Sequence, residues 1–161
     1  MKGWYRMKQI DFSAQLTGKT IDKIYKAGMQ MGSDQYSAWF FIFTFIEFDK
    51  FLEIEGDIDG IHIRIKLTTI SELRGRFEKS QSLKDPDLQN SFLVKENEPL
   101  GKVIGNTIKK CELGVDREKL MKIKNKENNL YSYIRFYFDR FYITVFEGEH
   151  GLAISVGPQL N

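Results

Sequence analysis

The residues most able to do chemistry are a run of carboxylates, Glu47, Asp49, Glu53, Glu55, Asp57 and Asp59, that ends beside His62. Asp57, Asp59 and His62 form a candidate divalent-cation set, because carboxylates and an imidazole near a turn can ligate a metal. Asp57-Ile58-Asp59-Gly60 lacks the further ligands and the terminal Glu of a calcium loop. Glu53 and Glu55 share one face of a strand, as a pair of glycosidase carboxylates would. Basic partners beside them keep both ionised, whereas that catalysis needs one acid with a raised pKa. A ladder of opposite charges explains the run better than a metal site, so we expect no metal, no cofactor and no catalytic residue there.

The other reactive side chains are scattered. His62 and His150 sit near two turns and read as exposed residues. Cys111, in Lys109-Lys110-Cys111-Glu112, falls in an expected strand, where a single Cys reads as a small buried side chain. Gly18-Lys19-Thr20 and Gly101-Lys102-Val103 have no glycine at the spacing a phosphate-cradling loop requires. The chain has no Gly-x-Ser-x-Gly, Cys-x-x-Cys or His-Glu-x-x-His motif.

Aromatics supply the other candidate. Trp39, Phe40, Phe41, Phe43, Phe45 and Phe48 crowd one segment. Tyr131, Tyr133, Phe136, Tyr137, Phe138, Phe141, Tyr142 and Phe146 crowd another. Strands lying between others are apolar on both faces, which accounts for most of these rings. Tyrosine also suits surfaces that are wet when free and dry when bound, so Tyr131, Tyr133 and Tyr142 mark a candidate contact face.

Strands must position these groups. Asp59-Gly60 between two alternating runs is a two-residue hairpin signal. That tip sets Asp57 opposite His62, Glu55 opposite Arg64, Ile54 opposite Ile65 and Glu53 opposite Lys66. One face is then apolar and the other charged. Further strands are expected over Thr20–Met29, Ala38–Phe48, Val103–Leu113, Leu130–Phe138, Phe141–Phe146 and Leu152–Gly157.

Two stretches read alike. Gly18-Lys19-Thr20-Ile21 and Phe48-Asp49-Lys50-Phe51 recur as Gly101-Lys102-Val103-Ile104 and Phe138-Asp139-Arg140-Phe141. Matching Gly60 to Gly151 then requires one inserted residue, Tyr142, and puts His150-Gly151 at the second tip. The expected fold is mainly β, with β-rich α+β as its variant. An internally duplicated antiparallel meander closes as a sandwich or half-open barrel. Residues 1–161 form a single domain of two similar halves, 16–67 and 99–157, joined by a connector, 68–98. Thr69–Lys79 in the connector is a candidate helix, and Asp116–Asn129 in the second half is a basic insertion.

Composition bounds the function. With 24 Lys and Arg against 22 Asp and Glu, the net charge of +2 gives no reason to expect nucleic acid or an anionic membrane as partner. Charges at Lys2, Arg6 and Lys8 interrupt any signal-peptide core, and Ala38–Ile46 is far short of the roughly 20 apolar residues of a membrane helix. One Cys allows no intrachain disulfide, which fits the cytoplasm. The sequence therefore reads as a non-enzymatic protein-binding domain acting by surface complementarity, like a toxin-neutralising immunity protein. Glu53, Glu55, Asp57 and Asp59 would face a basic partner. A small-ligand binder or enzyme, with a pocket between the halves lined by Trp39 and Tyr133, is the alternative. Self-association through a sheet edge or the tyrosine hairpin is the third reading.

Overall fold

The computed structural model describes residues 13–30, 36–57, 60–69, 71–72, 91–94, 97–115 and 130–158. Its strands are β1 (Ile21–Gln30), β2 (Tyr36–Phe45), β3 (Lys50–Gly56), β4 (Ile63–Thr69), β5 (Ser91–Leu93), β6 (Lys110–Gly114), β7 (Leu130–Tyr131), β8 (Tyr133–Tyr137), β9 (Phe141–Gly148) and β10 (Gly151–Pro158). A 3-10 helix over Pro99–Val103 precedes β6. The fold is mainly β, with two antiparallel sheets ordered β5-β1-β2-β3-β4-β7 and β10-β9-β8-β6. The candidate helix beyond Glu72 and the basic insertion Asp116–Asn129 lie outside the described residues, as do Ile58 and Asp59.

Alternation in β3, β4, β8 and β9 turns one face of each sheet toward a shared core. Phe43, Leu52, Ile54, Ile63 and Ile65 of the first sheet are buried with Ile134, Phe136, Ile143 and Val145 of the second. The rings of Phe43 and Phe136 meet at 5.6 Å between centroids. Burying each such side chain stabilises the fold by roughly 1.5–3 kcal/mol.

Phe40 and Ile42 bury on the opposite face of β2, with Ala27 and Phe51 and with Tyr25 and Trp39 packed against them. A register shift between β1 and β2 at Ala27/Gly28 leaves Trp39 as the extra residue, so Ala38 and Phe41 both reach the shared core despite their odd spacing. Gly28 permits the bulge, since an added Cβ would collide with Ser37 O.

The β3–β4 hairpin has the expected pairing, Glu53 with Lys66, Ile54 with Ile65 and Glu55 with Arg64. Asp57 N–H donates to His62 O at 2.9 Å, and Gly60, at φ +70, donates to Asp57 O at 3.1 Å. His62, expected to be exposed, is 3% accessible, whereas His150 is exposed. The face carrying His62 is mixed: Phe51, Glu53 and Thr68 are buried on it with His62, whereas Glu55 and Lys66 are exposed.

Each sheet contains a sequence-ordered antiparallel run, β1-β2-β3-β4 in one and β6-β8-β9-β10 in the other, but the expected repeat does not carry over in detail. The Phe-Asp-basic-Phe blocks differ in place: Lys50 and Phe51 already lie in β3, after a turn at Ile46-Glu47, whereas Asp139-Arg140 is itself the turn before β9. Gly18-Lys19 leads into β1, whereas Gly101-Lys102-Val103 lies in the 3-10 helix opened by Pro99, so the strand expected from Val103 begins only at Lys110. Val145, the counterpart of Ile54, pairs with Ile154 rather than with Val156. The second tip is Glu149-His150, one residue earlier than expected, because Gly151 takes its positive φ (+106) after the turn. Tyr142 pairs in register with Tyr137 and Gly157, with no bulge to mark an insertion.

Backbone bonds tie the sheets together. Gly18 N–H donates to Ile108 O (2.8 Å), Ile108 N–H to Lys19 O (2.9 Å) and Ile21 N–H to Asn106 O (3.0 Å). At another corner the chain passes from β7 to β8 through Ser132, whose N–H donates to Gly114 O at 2.9 Å. Among the described residues no helix is long and apolar enough to cross a membrane.

Candidate functional site

The face of the four-stranded sheet turned away from the core is built from three cross-strand rows. Pairing sets Gly114, Tyr133, Phe146 and Ala153 in one row, Glu112, Arg135, Thr144 and Ser155 in the next, and Lys110, Tyr137, Tyr142 and Gly157 in the third. Alternation forces this arrangement, because Cys111, Ile134, Phe136, Ile143 and Val145 between them are buried on the other side.

Two tyrosines cover glycines of the outer strands. A Cβ added to Gly114 would collide with the ring of Tyr133, and one added to Gly157 with the ring of Tyr142. Glycine leaves the sheet surface bare there, and a neighbouring ring covers it. Between these rings lies Arg135, its guanidinium carbon 5.2 Å from the Tyr133 centroid and 4.6 Å from the Tyr142 centroid. Arg135 Nε donates to Thr144 Oγ1 at 2.8 Å, which fixes the guanidinium along the row. Glu112 accepts from the Tyr133 hydroxyl at 2.6 Å and from the Tyr137 hydroxyl at 2.8 Å. Lys110 Nζ stands 5.3 Å from the Tyr137 centroid.

These contacts reinforce the resting charge states. The tyrosine hydrogen bonds hold the Glu112 carboxyl below its ordinary value, and the bond to Glu112 raises the Tyr133 phenol. Proton transfer near neutrality needs the opposite shifts. Both shifts keep Glu112 ionised and Tyr133 protonated near neutrality, so the hydrogen bond between them is charge-assisted.

The structure distributes the sequence candidates unevenly. Tyr133 and Tyr142 share this face. Tyr131 is buried in the common core, because Ser132 separates β7 from β8 and puts Tyr131 and Tyr133 in different sheets. Glu53, at 6% accessibility, accepts from the Thr68 hydroxyl at 2.8 Å. Asp57 pairs with Arg64 at 2.7 Å, and Glu55 is exposed beside the same arginine in register. Asp59 lies outside the described residues. Trp39 packs on the outer cluster of the first sheet, so it and Tyr133 are not brought together. Cys111 is buried, and burial followed by the charge of Glu112 pushes its thiol up to about 12, which leaves no thiolate for nucleophilic attack. Among the described residues no three His, Cys, Asp or Glu side chains gather as a metal would require.

Sequence reasoning missed Arg135 and Glu112. Alternation in Tyr133-Ile134-Arg135-Phe136-Tyr137 places Arg135 with the tyrosines and is a usable signal. Glu112 joins them only through the non-local pairing of β6 with β8. No protein-family model matches the chain, and no curated protein or solved structure matches it.

Proposed function

We propose that this protein is a non-enzymatic binding domain whose contact surface is the outer face of the four-stranded sheet. The observation that carries the reading is Arg135 held between Tyr133 and Tyr142 on a sheet. Tyrosine and arginine dominate binding hot spots, since they offer large contact area, and a pre-ordered side chain loses little entropy on binding. The face carries Lys110 and Arg135 against Glu112, whose oxygens both accept tyrosine hydroxyls. That balance favours a protein partner presenting a carboxylate. The carboxylate run offers less to a basic partner, because Glu53 is buried and Asp57 is matched by Arg64. Toxin neutralisation is the activity this design suits, by analogy of architecture alone. A reducing, cytoplasmic setting suits the single buried thiol. We read the two meanders as diverged halves of one duplicated unit, curled into a half-open barrel by the bonds between 18–21 and 105–108 and by the β7–β8 crossing.

The test is to identify the partner retained from the native host and titrate it, purified, against variants. Arg135→Glu should weaken binding about tenfold or more, while Glu55→Lys leaves it unchanged. Loss with Glu55→Lys and none with Arg135→Glu would move the contact surface to the carboxylate run and overturn the reading.

A further inference from the structure

The geometry points to the open edge of β10 as the place where one copy of this chain pairs with a second. β10 ends its sheet, and among the described residues no strand lies on its far side. Pro158 reveals which backbone groups face outward. It has no N–H, so its pairing with Phe141 is one of the non-bonded pairs of the ladder. Such pairs alternate with bonded ones, so Val156 opposite Ile143 and Ile154 opposite Val145 are non-bonded too. The N–H and C=O groups of Ile154 and Val156 therefore point away from β9. Near its start β10 lies against β2, where a Cβ on Gly151 would stand 2.5 Å from Ala38 O, and the strand opens towards its end: Leu152 is buried, Ala153 and Ile154 are half-buried, and exposure begins at Ser155. Val156 is 47% accessible there, and Ser155 and Pro158 are exposed.

Natural edges are blunted by lysines, inward charges or bulges. β10 reads Gly-Leu-Ala-Ile-Ser-Val-Gly-Pro, carries no charge, and pairs with β9 along its whole length without a register shift. Pro158 at its end is its one blunting device. A two-fold pairing centred on Ser155 sets Ile154 of each copy opposite Val156 of the other, and these are the residues whose backbone groups face outward. The pairing covers the exposed Val156 with an isoleucine. On the opposite face, Ser155 meets Ser155 and Gly157 meets Ala153. The edge is thus complementary to itself, as a two-fold contact requires, and no like charges meet across it. A single strand pair buries less area than a permanent dimer does, so the association is weak and concentration-dependent.

Sedimentation equilibrium of the full chain across a concentration series tests this. The wild type should rise from the mass of one chain towards that of two. Val156→Lys places like charges across the joint, and Val156→Pro removes an outward donor while costing no bond to β9. Both variants, with circular dichroism matching the wild type, should associate about tenfold or more weakly. A wild type of one-chain mass at every concentration would overturn the inference, as would two variants that associate like the wild type. Association lost in Arg135→Glu but kept in Val156→Lys would also overturn it, by placing self-contact on the aromatic face.

Discussion

The guanidinium of Arg135 lies 4.6 Å from the ring centroid of Tyr142, and that ring in turn covers Gly157 on the next strand. A charged side chain, an aromatic ring and a bare stretch of backbone are thereby stacked into one rigid unit. Because Arg135 is partly exposed, its contact with Tyr142 contributes only about 0.5–1 kcal/mol to the fold.

Arg135→Ala also loses the Tyr133 contact and the Thr144 hydrogen bond, so it should cost the fold about 1–2 kcal/mol while removing more than that, about 3 kcal/mol, from partner affinity. Denaturant titration reads the first quantity and calorimetry the second. Arg135→Lys should not restore binding, because an ammonium cannot stack flat between two rings. Equal losses in both measurements would reduce Arg135 to a stabilising residue.

Gly157→Ala should destabilise by about 1–3 kcal/mol, since its Cβ would occupy the space of the Tyr142 ring. Gly114→Ala, beneath Tyr133, should behave alike. The urea midpoint checks both. In the background Tyr142→Ala, the cost of Gly157→Ala should largely vanish, and persistence of the full cost would show that the ring is not what the glycine accommodates.

The Glu112–Tyr133 bond sets a pH window. Glu112 has a folded-state pKa below its ordinary 4.5, so its contribution is complete above that value and is lost as pH falls through the folded value. Tyr133 has its phenol raised above 10.0, so its contribution is complete below 10.0 and is lost as pH rises through the folded value. The thermal midpoint of the wild type should exceed that of Glu112→Gln between these limits, and the gap should close below pH 4.5. A gap that stays constant to strong acid would contradict the assignment.

The shared core makes the most demanding stability prediction. Phe43 is fully buried and meets Phe136 across the two sheets, so Phe43→Ala should cost about 3–5 kcal/mol. Val156→Ala, at an exposed position, should cost far less. Comparable costs, read from chemical unfolding, would mean that the sheets do not pack as described.

Local pattern made some of this architecture legible before the structure. The pairing of Glu53 with Lys66 and of Glu55 with Arg64 followed from alternation around one glycine turn, a relationship only a few residues long. What failed was what depends on distant partners. His62 looks exposed from its hairpin, yet it is buried while Glu55 and Lys66 on the same face stay exposed, a difference the strand's own alternation cannot show. Tyr131 resembles its neighbour Tyr133, yet a chain crossing at Ser132 sends one ring to the core and the other to the surface. The Gly-Lys-x-Ile blocks look equivalent, but Pro99 starts a 3-10 helix at the second. Candidate contact residues were visible as tyrosines. The arginine and glutamate that organise them became visible only once β6, β8 and β9 were set side by side.

The most direct test of the contact surface is a tyrosine-labelling footprint of the full chain, alone and bound to the partner retained from its host, read residue by residue by mass spectrometry. Tyr133, Tyr137 and Tyr142 should lose reactivity in the complex, and carboxylate labelling of Glu55 should be unchanged. Undiminished labelling of the three tyrosines, with protection confined to Glu55 and its neighbours, would contradict the account.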